Sequence, residues 1–301
     1  MRIKTKKALL WASALCALGI VIFLVTMLSL NWRFSALNSA YSEEKTHALT
    51  EPIKSITVTD NTANLAIRPS SDGEARLVTQ EGKNLTYEVS VADGTLTVTR
   101  CDTRAWYQSI FNFGSTYLVL YLPAGEYEAL NIKTSTGDIF LAQDFTFSTL
   151  TVEASTADIS CRASVKNALS VRVRTGDIEL SGLTAGDINL SVTTGDILIS
   201  AVRCTSLTTA GDTGDLDMED IIATGAIHIE RTTGDVSFSA CDASEIFIRC
   251  STGDIEGTLL TGKLFHTDTN TGDVRVPTSE QNGGDCHLKT STGDIHISIA
   301  Q

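Results

Sequence analysis

Apolar residues follow two rhythms along this 301-residue chain. From Ala8 to Leu30 they form a 23-residue stretch without a charged side chain. A helix of that length is long enough to cross the roughly 30 Å hydrocarbon core of a bilayer. From about residue 51 onward, apolar and polar residues alternate over short runs, which is typical of strands with one buried face. The pattern predicts one transmembrane helix followed by an all-β region.

A Thr-Gly-Asp triplet recurs every 19–21 residues in the second half of the chain. A fixed period near 20 residues indicates a repeat protein. A ninth copy, Thr156-Ala157-Asp158, replaces only the glycine. We interpret the other eight glycines as structural corners: Gly137, Gly176, Gly195, Gly214, Gly234, Gly253, Gly272 and Gly293.

The apolar residues that flank each triplet keep a constant spacing. Leu150 and Ile159 lie nine residues apart, as do Ile246 and Ile255, whereas the segments between such pairs vary in length. Each repeat therefore reads as a strand, a corner, a second strand and a looser return. Stacking at about 4.8 Å per rung would bury the apolar faces. We predict a parallel β-solenoid of about nine coils of 19–20 residues, with an antiparallel meander as the alternative.

The triplet suits a sharp corner. Glycine permits the positive φ that such a turn needs, and aspartate accepts hydrogen bonds from backbone N–H groups of the turn. Ala157 is therefore expected to avoid positive φ.

The composition divides the chain into five segments. Residues 1–7 form a basic tail, 8–30 the transmembrane helix and 31–50 a stalk. Residues 51–128 form a β region that caps the solenoid, and 129–301 form the solenoid itself. Within the cap, Asp72-Gly73 and Asp93-Gly94 are typical of hairpin turns, and the aromatic cluster Trp106–Phe113 is expected to pack in its core.

The far end of the solenoid has no such cover. The chain ends on the alternating run Ile295–Ile299, and an open strand edge there could pair with another molecule. We therefore include end-to-end self-association through the C-terminal edge among the predicted interactions.

Charge is distributed unevenly. Five of the 23 basic residues and none of the 36 acidic residues precede Tyr41, so the remainder carries a net charge of −18 at pH 7. Such an acidic body argues against nucleic acid as a partner. The basic residues at positions 2–7 predict a cytoplasmic N-terminus and an extracellular C-terminal region of a single-pass membrane protein. A cleaved signal peptide is the alternative.

The run from Tyr117 to Pro123, followed by Gly125, Leu130, Ile132 and Ser135–Ile139, resembles the DUF4097 family of candidate bacterial adhesins, which contain β-strand repeats. The similarity covers about residues 51–299. The resemblance implies a β-solenoid in the cell envelope and supplies neither a catalytic residue nor a proven ligand.

Few residues are candidates for metal binding or catalysis. The aspartates of the triplets would stack along the solenoid, and a cation ladder is the alternative to their structural role: Asp177, Asp196, Asp215, Asp235, Asp254 and Asp273. His266 and His287 belong to adjacent coils and could be neighbours. No C-x-x-C occurs, and the scattered cysteines are expected to be mostly buried free thiols.

These patterns predict a non-catalytic, membrane-anchored extracellular scaffold that binds a cell-surface polymer or another protein, without a cofactor. The alternatives are an accessory protein of envelope-stress signalling and a calcium-binding module similar to a β-roll. A binding surface is expected in the residues that vary between triplets.

Overall fold

The computed structural model describes residues 2–29, 42–82, 84–103, 116–280 and 283–300. Its contacts divide the chain into two units. The first comprises residues 1–43, 82–85 and 102–114, and it contains the helix α1 (Arg2–Ser29). Within α1, Trp11–Ser29 is long and apolar enough to cross a membrane. The aromatic cluster at Trp106–Phe113 lies outside the described residues.

The second unit comprises residues 44–81, 86–101 and 115–301 and is built from strands. The strands before the repeats are β1 (Ser42–Leu49), β2 (Ser55–Thr59), β3 (Ala63–Pro69), β4 (Ala75–Gly82), β5 (Leu85–Ala92), β6 (Thr95–Asp102) and β7 (Thr116–Leu122). β1 occupies part of the segment that the sequence predicts as a stalk.

Each triplet-containing repeat contributes one strand on either side of its triplet. In chain order these strands are β8 (Gly125–Thr136), β9 (Ile139–Leu141), β10 (Phe145–Thr156), β11 (Ile159–Cys161), β12 (Ser164–Thr175), β13 (Ile178–Ser181), β14 (Ala185–Thr194), β15 (Ile197–Cys204), β16 (Ser206–Thr213), β17 (Leu216–Ala223), β18 (Ala226–Thr233), β19 (Val236–Cys241), β20 (Glu245–Thr252), β21 (Ile255–Leu259), β22 (Leu264–Thr271), β23 (Val274–Arg275), β24 (Asp285–Thr292) and β25 (Ile295–Ile299).

The strands before the triplets pair with one another in parallel, and so do the strands after them. Equivalent residues lie side by side, as Leu150 pairs with Leu130 and Leu169, and Ile159 with Ile139 and Ile178. The predicted parallel β-solenoid is confirmed, and the antiparallel meander is wrong. Same-direction stacking explains why the same chemistry recurs in every coil.

The coils do not stack entirely in chain order. At the C-terminal end, β24 pairs with both β20 and β22, and β25 pairs with both β21 and β23. The last repeat is therefore inserted between the two repeats that precede it. The open edge predicted at Ile295–Ile299 is wrong in position, because the outermost coil is formed by β22 and β23.

The N-terminal end shows the same kind of insertion. β2 lies between β6 and β8, while β3 lies between β7 and β9, all in parallel. β4 then pairs antiparallel with the outer side of β7. Because both edges of β3 are taken, the hairpin predicted at Asp72-Gly73 is wrong. At the second predicted turn, Asp93 and Gly94 have φ values of 52° and 77°, as a type I′ turn requires.

Engineered disulfides test the inserted coil. Thr292 pairs with both Thr252 and Thr271, which puts Thr252 and Thr271 two rungs apart. Adjacent rungs lie about 4.8 Å apart, within disulfide range, whereas two rungs do not. In a background lacking Cys16 and Cys101, oxidation should cross-link T271C with T292C but not T252C with T271C. Mass spectrometry of the peptides reads out the bonds, and the reverse result would restore stacking in chain order.

One continuous apolar core runs through the solenoid, from Ile56 to Ile297. Inward positions alternate with exposed ones along each strand, as in Leu169, Val171 and Val173 of β12. The cysteines belong to this core: Cys161, Cys204, Cys241, Cys250 and Cys286 are buried free thiols, as predicted. Cys16 and Cys101 are exposed.

Burial of these thiols predicts a loss of stability in alkali. Desolvation raises the pKa of Cys161 from 9.0 to about 12. The folded state thus keeps this thiol neutral, while the unfolded state releases its proton above about pH 9. Stability is full below that pH and falls as the pH rises towards 12, by about 1.4 kcal/mol per pH unit for this thiol.

Urea unfolding between pH 7.5 and pH 10.5 in reductant measures this effect. The Cys161→Ala variant is expected to lose stability less steeply above pH 9 than the natural chain, since one ionisable thiol is gone. Equal slopes would contradict a pKa raised by burial.

Candidate functional site

The corner of each coil brings two backbones into close approach. The eight corner glycines have φ values between +118° and +146°, which confirms the predicted positive φ. A Cβ built on Gly214 would lie 2.1 Å from the carbonyl oxygen of Gly195 in the neighbouring coil. Glycine is therefore required for two reasons: it adopts positive φ, and its missing Cβ leaves space for the backbone of the next coil.

The corner aspartates form a hydrogen-bonded ladder along the solenoid. The backbone N–H of each aspartate donates to Oδ1 of the aspartate in the neighbouring coil, with N···O distances of 2.7–3.3 Å. In spatial order the ladder runs through Asp138, Asp158, Asp177, Asp196, Asp215, Asp235, Asp254, Asp294 and Asp273. We predicted bonds within each turn, but the carboxylates instead join successive coils.

The ladder begins at a corner that lacks both glycine and aspartate. Asn64 accepts the N–H of Asp138 through Oδ1 at 3.0 Å. It belongs to Thr62-Ala63-Asn64, a degenerate triplet at the start of β3. Ile56 and Leu65 flank it at the same nine-residue spacing as in the repeats. Our sequence interpretation missed this corner, although that spacing could have revealed it.

Ala157 marks the one aspartate corner without glycine. It does not adopt positive φ, as predicted. The adjoining ladder bond, from Asp158 N–H to Asp138 Oδ1, is 3.3 Å long, whereas the next is 2.9 Å.

A groove lies beside the aspartate ladder, on the outer face of the strands that follow the corners. Its volume is about 810 Å³, and the carboxylates of Asp138, Asp158, Asp177 and Asp196 line one side. The remainder of the lining comes mainly from outward residues of β7, β3, β9, β11, β13 and β15. The ladder thus forms an acidic rim along a partly apolar groove.

The floor of the groove is a single column of side chains in register. Each member from Ala66 onward follows the apolar anchor after its corner, and the column reads Val119, Ala66, Phe140, Ser160, Glu179, Leu198 and Asp217. The chemistry changes from coil to coil, unlike that of the corners. Arg68 covers the Phe140 ring at 5.5 Å, and the Leu198 residue is 46% exposed. The variable residues therefore form the surface best suited to recognition.

A family model decides what kind of chain this is. The Toastrack DUF4097 model matches residues 53–251 and 163–301. The chain belongs to the DUF4097 family. The match covers the solenoid together with most of the strands before the repeats, in agreement with the resemblance seen in the sequence.

Solved structures similar to this DUF4097 chain include a candidate adhesin from Bacteroides fragilis, at 18% identity and a TM-score of 0.49 over 87% of this chain and 99% of that one. A candidate adhesin from Parabacteroides merdae aligns at 13% identity and a TM-score of 0.42, over 85% and 96% of the two chains. A candidate lipid-binding protein from Parabacteroides distasonis aligns at 14% identity and a TM-score of 0.42, over 86% of this chain and 98% of that one. The fold assignment rests on strand register, not on these scores. No curated protein matches the chain.

The remaining predicted site residues of the DUF4097 chain lie on the outer faces. The corner threonines are exposed and in register, as in Thr194 beside Thr213. Every ladder carboxylate except the last accepts a backbone N–H of the neighbouring coil through its Oδ1. Calcium binding along the ladder stays a prediction. His266 and His287 are neighbours, as predicted, with ring centroids 4.4 Å apart.

Proposed function

We propose that this DUF4097 protein is a membrane-anchored extracellular scaffold that binds a cell-surface polymer or another protein along its groove, without catalysis. The observation that carries the proposal is the variable column on the groove floor. It runs across successive coils beside a uniform acidic rim, so it presents an extended surface to an extended ligand.

The acidic rim favours a role in ligand binding over a role in catalysis. Its carboxylates are held by backbone N–H groups, as Asp177 is by the N–H of Asp196 at 2.8 Å. A carboxylate fixed in this way adds negative charge and fixed spacing to the groove. Half-buried Phe140 and exposed Leu198 add apolar contact area. We infer a ligand with positive or hydrogen-donating groups beside apolar surface.

The apolar surface of helix α1 supports the proposal of a membrane anchor. Its described side chains are apolar on all sides, with Trp11, Leu15 and Leu28 exposed by 73%, 66% and 65%. A helix that is apolar on all sides is typical of a membrane span. With the basic residues of positions 2–7 on the cytoplasmic side, the solenoid would lie outside the cell.

Binding to cell-wall material tests the proposal. The full-length chain, purified in detergent, is expected to be retained on insoluble cell-wall material at physiological salt. Leu198→Ala should reduce retention at least fivefold. Leu260→Ala, which removes an equally apolar but less central residue (39% exposed) outside the groove, should leave it within twofold. Absence of retention by the natural chain would overturn the adhesive function.

An accessory role in envelope-stress signalling is the second proposal. It rests on α1, whose uniform apolar surface could pack against a helix of a membrane sensor. Copurification of a membrane protein that depends on α1, or a sensor kinase encoded beside the gene, would favour signalling over adhesion.

Self-association of the solenoid also stays a proposal, with a changed location. Among the described strands the outer edge belongs to β22, whose Phe265 N–H donates to Ser279 Oγ, so end-to-end pairing would use residues 266–271. The adjoining edge strand β23 is only two residues long and is soon followed by Pro277, features that limit edge pairing.

A further inference from the structure

Three side chains with metal-binding atoms meet near the outermost coil. His266 lies on β22, and Asp285 and His287 lie on β24, two residues apart and therefore on the same outer face. His266 pairs in register with His287. The His266 Nε2 atom lies 3.0 Å from Asp285 Oδ1, and one ligand atom from each of the three residues lies within 4.8 Å of the others.

Neighbouring rings orient this cluster. The His287 ring lies between His266, with centroids 4.4 Å apart and planes inclined by 10°, and Phe247, with centroids 4.9 Å apart and planes inclined by 4°. His228 continues the row beyond Phe247, at 6.0 Å. The backbone register of four strands thus holds the two adjacent imidazoles on one face.

We propose that His266, Asp285 and His287 bind a divalent transition-metal ion, with Zn²⁺ as the best match. Two imidazole nitrogens and one carboxylate oxygen are ligands that Zn²⁺ prefers, at about 2.0–2.2 Å. Ca²⁺ and Mg²⁺ favour sites built from oxygen alone. Water or a partner's ligand takes the fourth position.

The present spacing requires only side-chain adjustment. A tetrahedral ion with bonds near 2.1 Å separates its ligand atoms by about 3.4 Å, so the group of atoms must contract. Because an ion lies in the plane of each imidazole that binds it, the two nearly parallel rings must also tilt towards each other. The side chains of His266 and Asp285 are 46% and 47% exposed, which leaves room for rotation. The strands that carry them are already paired, so the backbone need not move.

The bound ion would strengthen the outermost coil. On the described residues, β22 pairs with β24 and forms the edge of its sheet. Its inward positions include Thr267 and Thr269, which are less buried than their partners Leu288 and Thr290 on β24. An ion shared by His266 on β22 and His287 on β24 would therefore join a weakly packed edge strand to the inserted repeat.

Calorimetric titration of the full-length chain in detergent tests the site. After treatment with EDTA, ZnCl₂ at pH 7.5 is expected to bind with one ion per chain. His266→Ala, His287→Ala and Asp285→Asn should each weaken binding at least tenfold. Affinity should also fall in acid, because protons compete for the imidazoles.

His228→Ala is the matched control. His228 is exposed on the same row of rings, and its carboxylate neighbour is Glu230 at 3.4 Å on its own strand. This variant should bind Zn²⁺ within twofold of the natural chain. Equal affinity in His266→Ala or His287→Ala, or no stoichiometric binding by the natural chain, would overturn the proposal.

Hydrogen exchange supplies a second readout. Zn²⁺ should slow amide exchange in residues 264–271 of the natural chain and not in His266→Ala. Thermal melting without metal establishes that each variant is folded, since all three side chains lie on the outer face. Unchanged exchange on metal addition would contradict the proposed link between β22 and β24.

Discussion

Replacing Gly214 with alanine is expected to lower the free energy of unfolding by about 2–6 kcal/mol. Gly214 has φ +128°, a conformation that costs an L-residue about 1–3 kcal/mol. The new Cβ would also lie 2.1 Å from the Gly195 carbonyl oxygen. Relief of this overlap requires the rung to open, at a further cost of about 1–3 kcal/mol. Chemical denaturation of the full-length chain measures the loss.

Gly182→Ala separates the two causes. Gly182 also has positive φ, +63°, but a Cβ there meets no atom within 4 Å. This variant should lose only about 1–2 kcal/mol, the cost of the backbone conformation alone. If the two variants were equally destabilised, close approach of neighbouring coils would not explain the corner glycines.

Removal of one ladder carboxylate is expected to have the next largest effect. Asp215→Ala deletes the acceptor for the Asp235 N–H, a bond of 2.8 Å. The expected loss is about 1–2 kcal/mol, near the lower range for hydrogen bonds to charged groups because this corner is exposed. Urea unfolding provides the measurement.

Asp215→Asn keeps the acceptor and removes the charge. Asn64 already fills this role at the start of the ladder, so this variant should retain most of the stability that Asp215→Ala loses. Removing the charge relieves repulsion of about 0.9 kcal/mol between like charges on adjacent rungs in water, but it also removes the attraction of the Asp215 carboxylate to the buried guanidinium of Arg231. Asp212→Ala, outside the ladder, should have little effect. A loss in Asp215→Asn as large as in Asp215→Ala would contradict the hydrogen-bond explanation.

The coil geometry could be predicted because its spacing is local. Leu150 and Ile159 belong to one repeat, and a spacing of nine positions between such anchors leaves room for one corner only. Equivalent residues then pair in parallel throughout, as Ile159 does with Ile178. The corner roles of Gly214 and Ala157 follow from the same local stereochemistry.

The order of the coils at both ends could not be predicted in this way. Because the repeats have similar edges, either β22 or β24 could pair with β20. The anchor spacing does not distinguish these two arrangements. Only the long connection between β23 and β24 distinguishes this region, and its length permits several paths.

The sequence predicts that variable residues form a binding surface, but it does not predict where the groove lies. Residues that vary between triplets were expected to form the binding surface, but Phe140 and Leu198 are far apart in sequence. Their column becomes visible only when the register of β9, β11, β13 and β15 is known. The inter-coil direction of the aspartate bonds was missed for the same reason, because acceptor and donor lie 19–20 residues apart.

The central claim is that the Thr-Gly-Asp triplet joins successive coils through its aspartate. Residue-resolved hydrogen exchange at the Asp235 amide tests this most directly, in the natural chain, Asp215→Asn and Asp215→Ala. We predict protection in the first two and fast exchange in the third, with the Asp196 amide protected in all three. Fast exchange at Asp235 in the natural chain, or undiminished protection in Asp215→Ala, would contradict the account.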